Sequence, residues 1–354
     1  MPPAGPHREG HPTLADVAAA SGVSLSTASR ALREAGPVTD GTRRRVRAAA
    51  RRLGYEPNRL ARSLRTRSSN FIGLIVPDIA IGFYARVAKG AQDALEQAGY
   101  QVLVVNTGRE AAREVEALRT LASHRVHGIL LATSGGFDHS SRVPVVFFDN
   151  LVEGVGAGHV ARANRDGIAV IVEHLRGHHH ERIAYLGAPP LFTSGVERLD
   201  GFRAAMAAAG LTVPTEHVVL GDEIWSVQSG RRAARELLAL TPRPSALVAA
   251  SDTLAVGAIQ AARDAGLRLP EDLALISFDD PFFGDIIDPP ITALARNEPE
   301  LGELAASLLL HAIQTGRVGP PTEVRLPVEL IVRRSCGCPL GGRDASGTRQ
   351  RSAT

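Results

Sequence analysis

The sequence predicts two kinds of fold in one chain. A small all-α helix-turn-helix module comes first, followed by an α/β body of two lobes built on doubly wound parallel sheets. Three observations carry this. Thirteen arginines crowd the first 70 residues against five acids, a local charge of +8, so the remaining 284 residues hold −5 of the net +3. Two short apolar-periodic segments in that basic head are separated by a glycine turn. From residue 70 onward, short apolar runs alternate with amphipathic stretches, and the alternation occurs twice.

In the head, Thr13 is placed to cap a helix, with Asp16 three residues on completing a capping box. Leu14, Val17 and Ala18 recur at helical spacing before Ser21-Gly22-Val23 breaks the run. A second short helix follows from Ser24 to Leu32, with Ala28, Ala31 and Leu32 as its inward face. Its other face carries small hydroxyls and Arg30, which suits close approach to base edges, so Leu25, Ser26 and Arg30 are the expected readers of sequence. A third helix runs from Thr39 to Leu53, with Gly54 just past its end. Val46, Ala50 and Leu53 can close a three-helix core. Arg43, Arg44, Arg47, Arg51 and Arg52 lie off that face, available to phosphates. Asn58 can cap one further segment through Arg65, too short to be helical alone in water and expected to order only on a partner such as DNA.

In the body, Phe71–Val76, Gln101–Val105, Gly128–Leu131 and Val143–Phe148 read as buried parallel strands, with helices at about 84–98 and 110–123. A second set follows at Arg182–Leu186, Val218–Leu220, Ala246–Ala250 and Leu273–Phe278. Its helices fall near 165–176, 197–209, 227–240 and 253–265. Two such units imply a cleft between lobes, where a small ligand sits at the carboxyl ends of the strands.

Composition narrows the classes. At 44% apolar residues the chain can bury a sizeable core. No apolar run approaches the roughly 20 residues of a membrane span, and the N-terminus lacks a signal peptide's apolar core, so a cytoplasmic protein is expected. Two cysteines, Cys336 and Cys338, make no disulfide framework and cannot complete a zinc site alone. His178-His179-His180 invites a metal reading, but adjacent histidines cannot all face one ion, so no metal is expected. No nucleophile elbow, phosphate loop or metal-binding helix is present, and the chain reads as a binding protein, not an enzyme, with no cofactor.

The stretches TLADVAAASGVSLSTASRAL and VTDGTRRRVRAAARRLGYEPNRLARSL closely resemble the headpiece of the LacI/GalR family of bacterial regulators. The resemblance continues through IGLIVPDI, VPVVFFDN, RIAYLGAP, ERLDGFRAAM, SDTLAVGAIQAARDAGLRLPEDLALISFDD and DPPITALARNEPELGELAA. It implies DNA contacts from Thr13, Leu25, Ser26, Thr27, Ser29, Arg30, Arg33, Tyr55, Asn58, Ala61 and Leu64. In the family a hinge helix pairs across a dimer and wedges a leucine into the minor groove, the position held here by Leu64. It also implies a periplasmic-binding-protein-like core, with the chain crossing between lobes near residues 162, 291 and 320. The organisation then expected is a tail over 1–12, a headpiece over 13–57, a hinge and linker over 58–69, the core over 70–335 and a flexible tail over 336–354.

Candidate effector contacts carried over from the family are Phe83, Asp149, Arg198, Trp225, Ser251 and Asp279. Arg198 is similar to the family's effector-binding arginine, and Trp225 resembles the aromatic on which its sugars stack. Two departures stand out: Ser251-Asp252 replaces the frequent Asn-Asp, and Ile81-Gly82-Phe83-Tyr84 replaces NPFF. The expected function is a homodimeric repressor of operator DNA, released by a carbohydrate effector. A purine-type corepressor is the alternative ligand, and a non-regulatory sugar-binding protein the alternative class. The latter leaves the basic head unexplained.

Overall fold

The computed structural model describes residues 12–33, 36–55, 70–137, 143–152, 155–223, 225–295, 297–316 and 322–338. They fall into two compact units divided at Ser69 and Asn70. The first is three short helices: α1 (Leu14–Ser21), α2 (Leu25–Arg33) and α3 (Asp40–Leu53). Thr13 opens α1 through a full capping box with Asp16, and Gly22 ends it in the left-handed conformation at φ 63°. Ser24 opens α2 by accepting the Thr27 amide at 3.2 Å, and Gly54 closes α3 at φ 63°. The core is small: Val17, Ala18, Ala28, Ala31, Val46, Ala49 and Ala50, with Leu32, Leu53 and Tyr55 packed on it.

The second unit holds two six-stranded sheets. The first contains β1 (Phe71–Val76), β2 (Gln101–Asn106), β3 (Gly128–Leu131), β4 (Val145–Phe148), β5 (Gly158–Arg162) and β11 (Thr322–Leu326), ordered β11-β5-β4-β3-β1-β2. The second contains β6 (Ile183–Gly187), β7 (Val218–Leu220), β8 (Ala246–Ala249), β9 (Ala274–Ser277), β10 (Thr292–Leu294) and β12 (Leu330–Ile331), ordered β12-β10-β9-β8-β6-β7. Pairing is parallel throughout except between β10 and β12. The buried strands are Val/Ile/Leu/Ala-rich on both faces because helices cover both. Those helices are α4 (Gly82–Gln97), α5 (Ala111–Ser123) and α10 (Glu298–Thr315) on the first lobe. On the second they are α6 (Asn164–Gly177), α7 (Thr193–Ala208), α8 (Val227–Leu238) and α9 (Asp252–Asp264). Among the described residues, no helix is long and apolar enough to cross a membrane.

Three expectations need correction. The chain leaves the first lobe just after Arg162, but its other crossings follow β10 and β11, not residues near 291 and 320. The reason is pairing: β10 still pairs with β9, and β11 still pairs with β5 along Thr322–Leu326. Helix α7 begins at Thr193, four residues before the expected start at 197, because residues 193 and 194 dock on the other lobe. The flexible tail cannot begin at 336: Cys336 and Cys338 are buried in the second lobe's core.

Candidate ligand cleft and nucleic-acid-binding face

The head presents its polar face as an array of short side chains. Leu25 is 54% exposed at the start of α2, an apolar group that water would otherwise drive inward. Ser26 is exposed beside it, and Thr27 and Arg30 are half-buried. Arg30 Nε donates to the Ser26 carbonyl at 3.4 Å, which lays the guanidinium along the helix. Arg44, Arg47, Arg51 and Arg52 are exposed on α3, whereas Arg43 is half-buried and donates to the Val38 carbonyl at 3.4 Å.

Other expected DNA contacts have structural duties or lie elsewhere. Thr13 is exposed but its hydroxyl is spent in the capping box. Ser29 is only 9% exposed and Tyr55 packs on the head's core, so neither offers much surface. Arg33 lies in α2, but its side chain, like Asn58, Ala61 and Leu64, lies outside the described residues.

In the body, Arg198, on the second turn of α7, is 3% exposed. It donates from Nε to Asn164 Oδ1 at 3.0 Å and from Nη1 to the Ala250 carbonyl at 2.6 Å and Asp279 Oδ2 at 3.4 Å. Asp279, just past β9, also pairs with Arg162, the last residue of β5 in the other lobe. One carboxylate thus joins guanidiniums from both lobes. Phe278 lies under both cations, 3.8 Å from Arg198 and 5.0 Å from Arg162. Trp225 flanks Arg198 at 5.3 Å and Phe83 flanks Arg162 at 5.3 Å, so aromatic faces line the charged groups.

Asp149 follows β4 with a left-handed φ of 66°, and Trp225 has φ 49°; such backbone is strained in residues other than glycine and concentrates at sites that bind. Asp149 Oδ2 accepts from the Tyr84 hydroxyl at 3.1 Å and Asn150 Nδ2 at 3.3 Å. Asn150 Oδ1 in turn accepts from the Ser194 hydroxyl at 2.9 Å, so this turn is tied to the N-terminus of α7. A second tie follows from Glu197 Oε1 and Oε2, which accept from Arg325 Nη2 and Nη1 at 2.7 and 2.8 Å.

Burial and charge act oppositely here. Burial raises the Asp149 carboxyl, with Arg198 and Arg162 opposing the shift. Burial would raise Asp279 too, but Arg162 and Arg198 outweigh it and hold that carboxyl below its usual range. Asp252 is pushed up to about 6 by burial and by repulsion from Asp279. The cleft therefore holds a fixed anion between two cations, plus two carboxyls of weakened acidity. Arg162 Nη1 is buried with no hydrogen-bond partner. A ligand with several hydroxyls can accept from such a guanidinium and donate to the carboxylates, while its apolar face rests on an aromatic ring.

Five of the six expected ligand residues therefore converge: Phe83, Asp149, Arg198, Trp225 and Asp279. Ser251 does not join them chemically, since its hydroxyl caps α9 by accepting the Leu254 amide at 3.2 Å. Neighbouring Asp280 is held by Arg333 at 2.6 and 3.0 Å, which explains why Asp279 is the one of the pair left to the cleft. Sequence reasoning missed Arg162, Tyr84, Asn150, Asn164 and Asp252. A charged residue ending an apolar strand was the only local sign of Arg162. The two cysteines and the histidine-rich end of α6 also converge, away from these residues, with Cys338 Sγ 2.9 Å from His178 Nε2.

Residues 13–58 match the family described as bacterial regulatory proteins, lacI family, and residues 172–336 match a periplasmic binding protein-like domain. The ribose operon repressor of Bacillus subtilis (strain 168) is 32% identical over 330 residues, covering 91% of this chain and 98% of that protein. A structure of the transcriptional regulator CelR in complex with cellobiose is 30% identical with a TM-score of 0.68, covering 92% of this chain and 99% of that one. A lac repressor dimer bound to operator and the anti-inducer ONPF is 28% identical with a TM-score of 0.81, covering 92% and 98%.

Proposed function

The chain belongs to the lacI family of bacterial regulatory proteins, and from that premise we propose that it is a dimeric, sequence-specific repressor that leaves its operator when a sugar or sugar derivative enters the cleft of the body. The observation that carries the ligand half is Asp279, a buried carboxylate shared by Arg198 of one lobe and Arg162 of the other. A ligand bonding to that group changes the balance of contacts between lobes, which is the differential interaction a switch requires. Hydroxyl-rich ligands suit the paired charges and the flanking Phe83 and Trp225. Relatives named for ribose or solved with cellobiose support the carbohydrate class. The reading needs binding only, with no chemical step in the cleft.

Dimerisation is supported by physics as well as by the operator-bound relative. One headpiece reads too few base pairs for useful specificity, and two-fold symmetry doubles the contacts on a palindromic site. Phe282 and Ile286, 78% and 80% exposed, leave apolar surface that a second copy can cover.

Trp225 is the only tryptophan, so its fluorescence reports ligand entry directly. Titration with a panel of sugars should change that emission saturably for one of them, and the same sugar should release the chain from its operator in a gel shift. A nucleobase that moves the fluorescence and tightens operator binding, with every sugar silent, would replace this reading by the corepressor one.

A further inference from the structure

The end of the described chain is pinned before its cysteines are reached. Ser335 Oγ donates to the Leu275 carbonyl at 2.5 Å and accepts the Thr292 amide at 2.9 Å, which fastens the segment across β9 and β10. Gly337 then turns with φ 92° while its amide donates to the Arg334 carbonyl at 3.0 Å. This tight turn, which a side chain would strain, brings both thiols into the second lobe's core, with Cys336 0% and Cys338 6% exposed.

Opposite them is the last turn of α6. His174 in that turn and His178, the residue that caps the helix, are four residues apart with their rings 4.8 Å apart. Both aim Nε2 at the same sulfur: Cys338 Sγ lies 3.5 Å from His174 and 2.9 Å from His178. The donor atoms of His174, Cys336 and Cys338 all fall within 4.8 Å of one another. His180 takes no part, because its Nδ1 is engaged with Ser245 Oγ at 3.0 Å.

We propose that Cys336, Cys338, His174 and His178 form a structural site for a zinc-class divalent cation, which fastens the C-terminal segment to helix α6. Two thiolates and two imidazoles are a complete tetrahedral set, and His-x-x-x-His is ordinary ligand spacing. Zinc bond lengths of about 2.3 Å to sulfur and about 2.0 Å to nitrogen put the sulfur–nitrogen edge of such a tetrahedron at roughly 3.6 Å. The gap between Cys338 and His174 already matches that edge. Both imidazoles meet the same sulfur, which brings two nitrogen donors and one sulfur donor to a single point.

The surroundings also hold the second sulfur in place. Thr292 Oγ1 accepts the Arg333 amide at 2.9 Å and donates to Cys336 Sγ at 3.1 Å, the kind of outer hydrogen bond that orients and tunes a metal-bound sulfur. His178 touches Cys338 at 2.9 Å but stands outside the 4.8 Å cluster of the other three donors; drawn in as the fourth ligand it leaves no position open, which makes the site structural, not catalytic. Asn164, at the other end of α6, orients Arg198, so the metal would brace a helix that carries part of the ligand cleft.

The test uses the full chain, stripped with chelator under reducing conditions and titrated with Zn²⁺ or Co²⁺ alone. One equivalent should bind. Cobalt should give the strong visible bands of a tetrahedral ion and a thiolate charge-transfer band in the near ultraviolet. Zinc should raise the thermal midpoint, and chelator should reverse the rise. Cys338→Ser and His174→Ala should each weaken binding at least tenfold and remove or shift the cobalt bands. Circular dichroism verifies their fold, and the wild-type spectrum decides independently should either variant misfold. A folded wild-type chain that takes up no metal would overturn the proposal, as would uptake without a thiolate band.

Discussion

At the scale of single residues, the cleft depends on charges that cannot be removed singly without consequence. Asp279→Asn keeps the shape of the side chain but leaves Arg162 and Arg198 facing each other with their shared counter-charge gone. Breaking a buried pair of this kind costs about 3–5 kcal/mol. The expected outcome is a variant of lower thermal midpoint whose operator affinity no longer responds to the sugar; an intact response would remove Asp279 from the ligand site. A second residue sets a pH limit. His159 on β5 is held down at about 4 by burial, with the Arg325 charge adding to it, against an ordinary value of 6.5. Between those values the unfolded chain takes up a proton that the folded chain refuses. Stability should therefore be full above pH 6.5 and fall as the pH drops towards 4, by about 3 kcal/mol at most. Urea unfolding at pH 7 and pH 5, compared with His159→Leu, checks this: the variant should lose less on acidification.

At the scale of elements, α2 and α3 are expected to divide the work on DNA. Exchanging Leu25 and Ser26 for other residues should change which operator is preferred, because both stand exposed at the start of α2. Changing Arg51 or Arg52 should weaken all sites together, with the salt slope falling by about one unit for each phosphate no longer neutralised. Equal losses at every sequence for the Leu25 and Ser26 variants would disprove the assignment. Elsewhere, α4 and α10 cross closely enough that a Cβ on Gly302 would sit 2.1 Å from the Val87 carbonyl oxygen. Helix propensity alone favours alanine over glycine by about 1 kcal/mol. Here the clash is with backbone and must separate two helices, an overpacking cost of about 1–3 kcal/mol or more. Gly302→Ala should therefore lower stability, which chemical denaturation measures directly.

At the scale of the whole molecule, the head and the body each have a core of their own. A ligand bound to the body stabilises that unit by mass action, about 2.7 kcal/mol at 100 times Kd. Calorimetry with the effector should move the body's transition upward and leave the head's in place; a shift of the head alone would put the ligand elsewhere. A switch from 1:99 to 99:1 between two lobe arrangements needs a preference of about 5.5 kcal/mol. One buried charge-assisted hydrogen bond supplies on the order of 1.5–3 kcal/mol, so the guanidinium–carboxylate cluster has to act as a set.

Whatever depends on residues a few positions apart was legible beforehand. The caps at Thr13 and Gly54, the apolar faces of α1 to α3, and β1, β3 and β7 to the residue follow from local spacing. Charge asymmetry and the head's motif pointed to nucleic acid before any fold was known. The carry-over of Arg198 and Asp279 found two members of the cleft, but nothing near them in the chain named their partner. Arg162 meets Asp279 across 117 positions, and Cys338 meets His174 across 164. Such meetings are set by which strand pairs with which and where each helix ends. Local periodicity carries no record of sheet order, so the lobe crossings, the shared carboxylate and the thiol–imidazole cluster could be decided only by the tertiary structure.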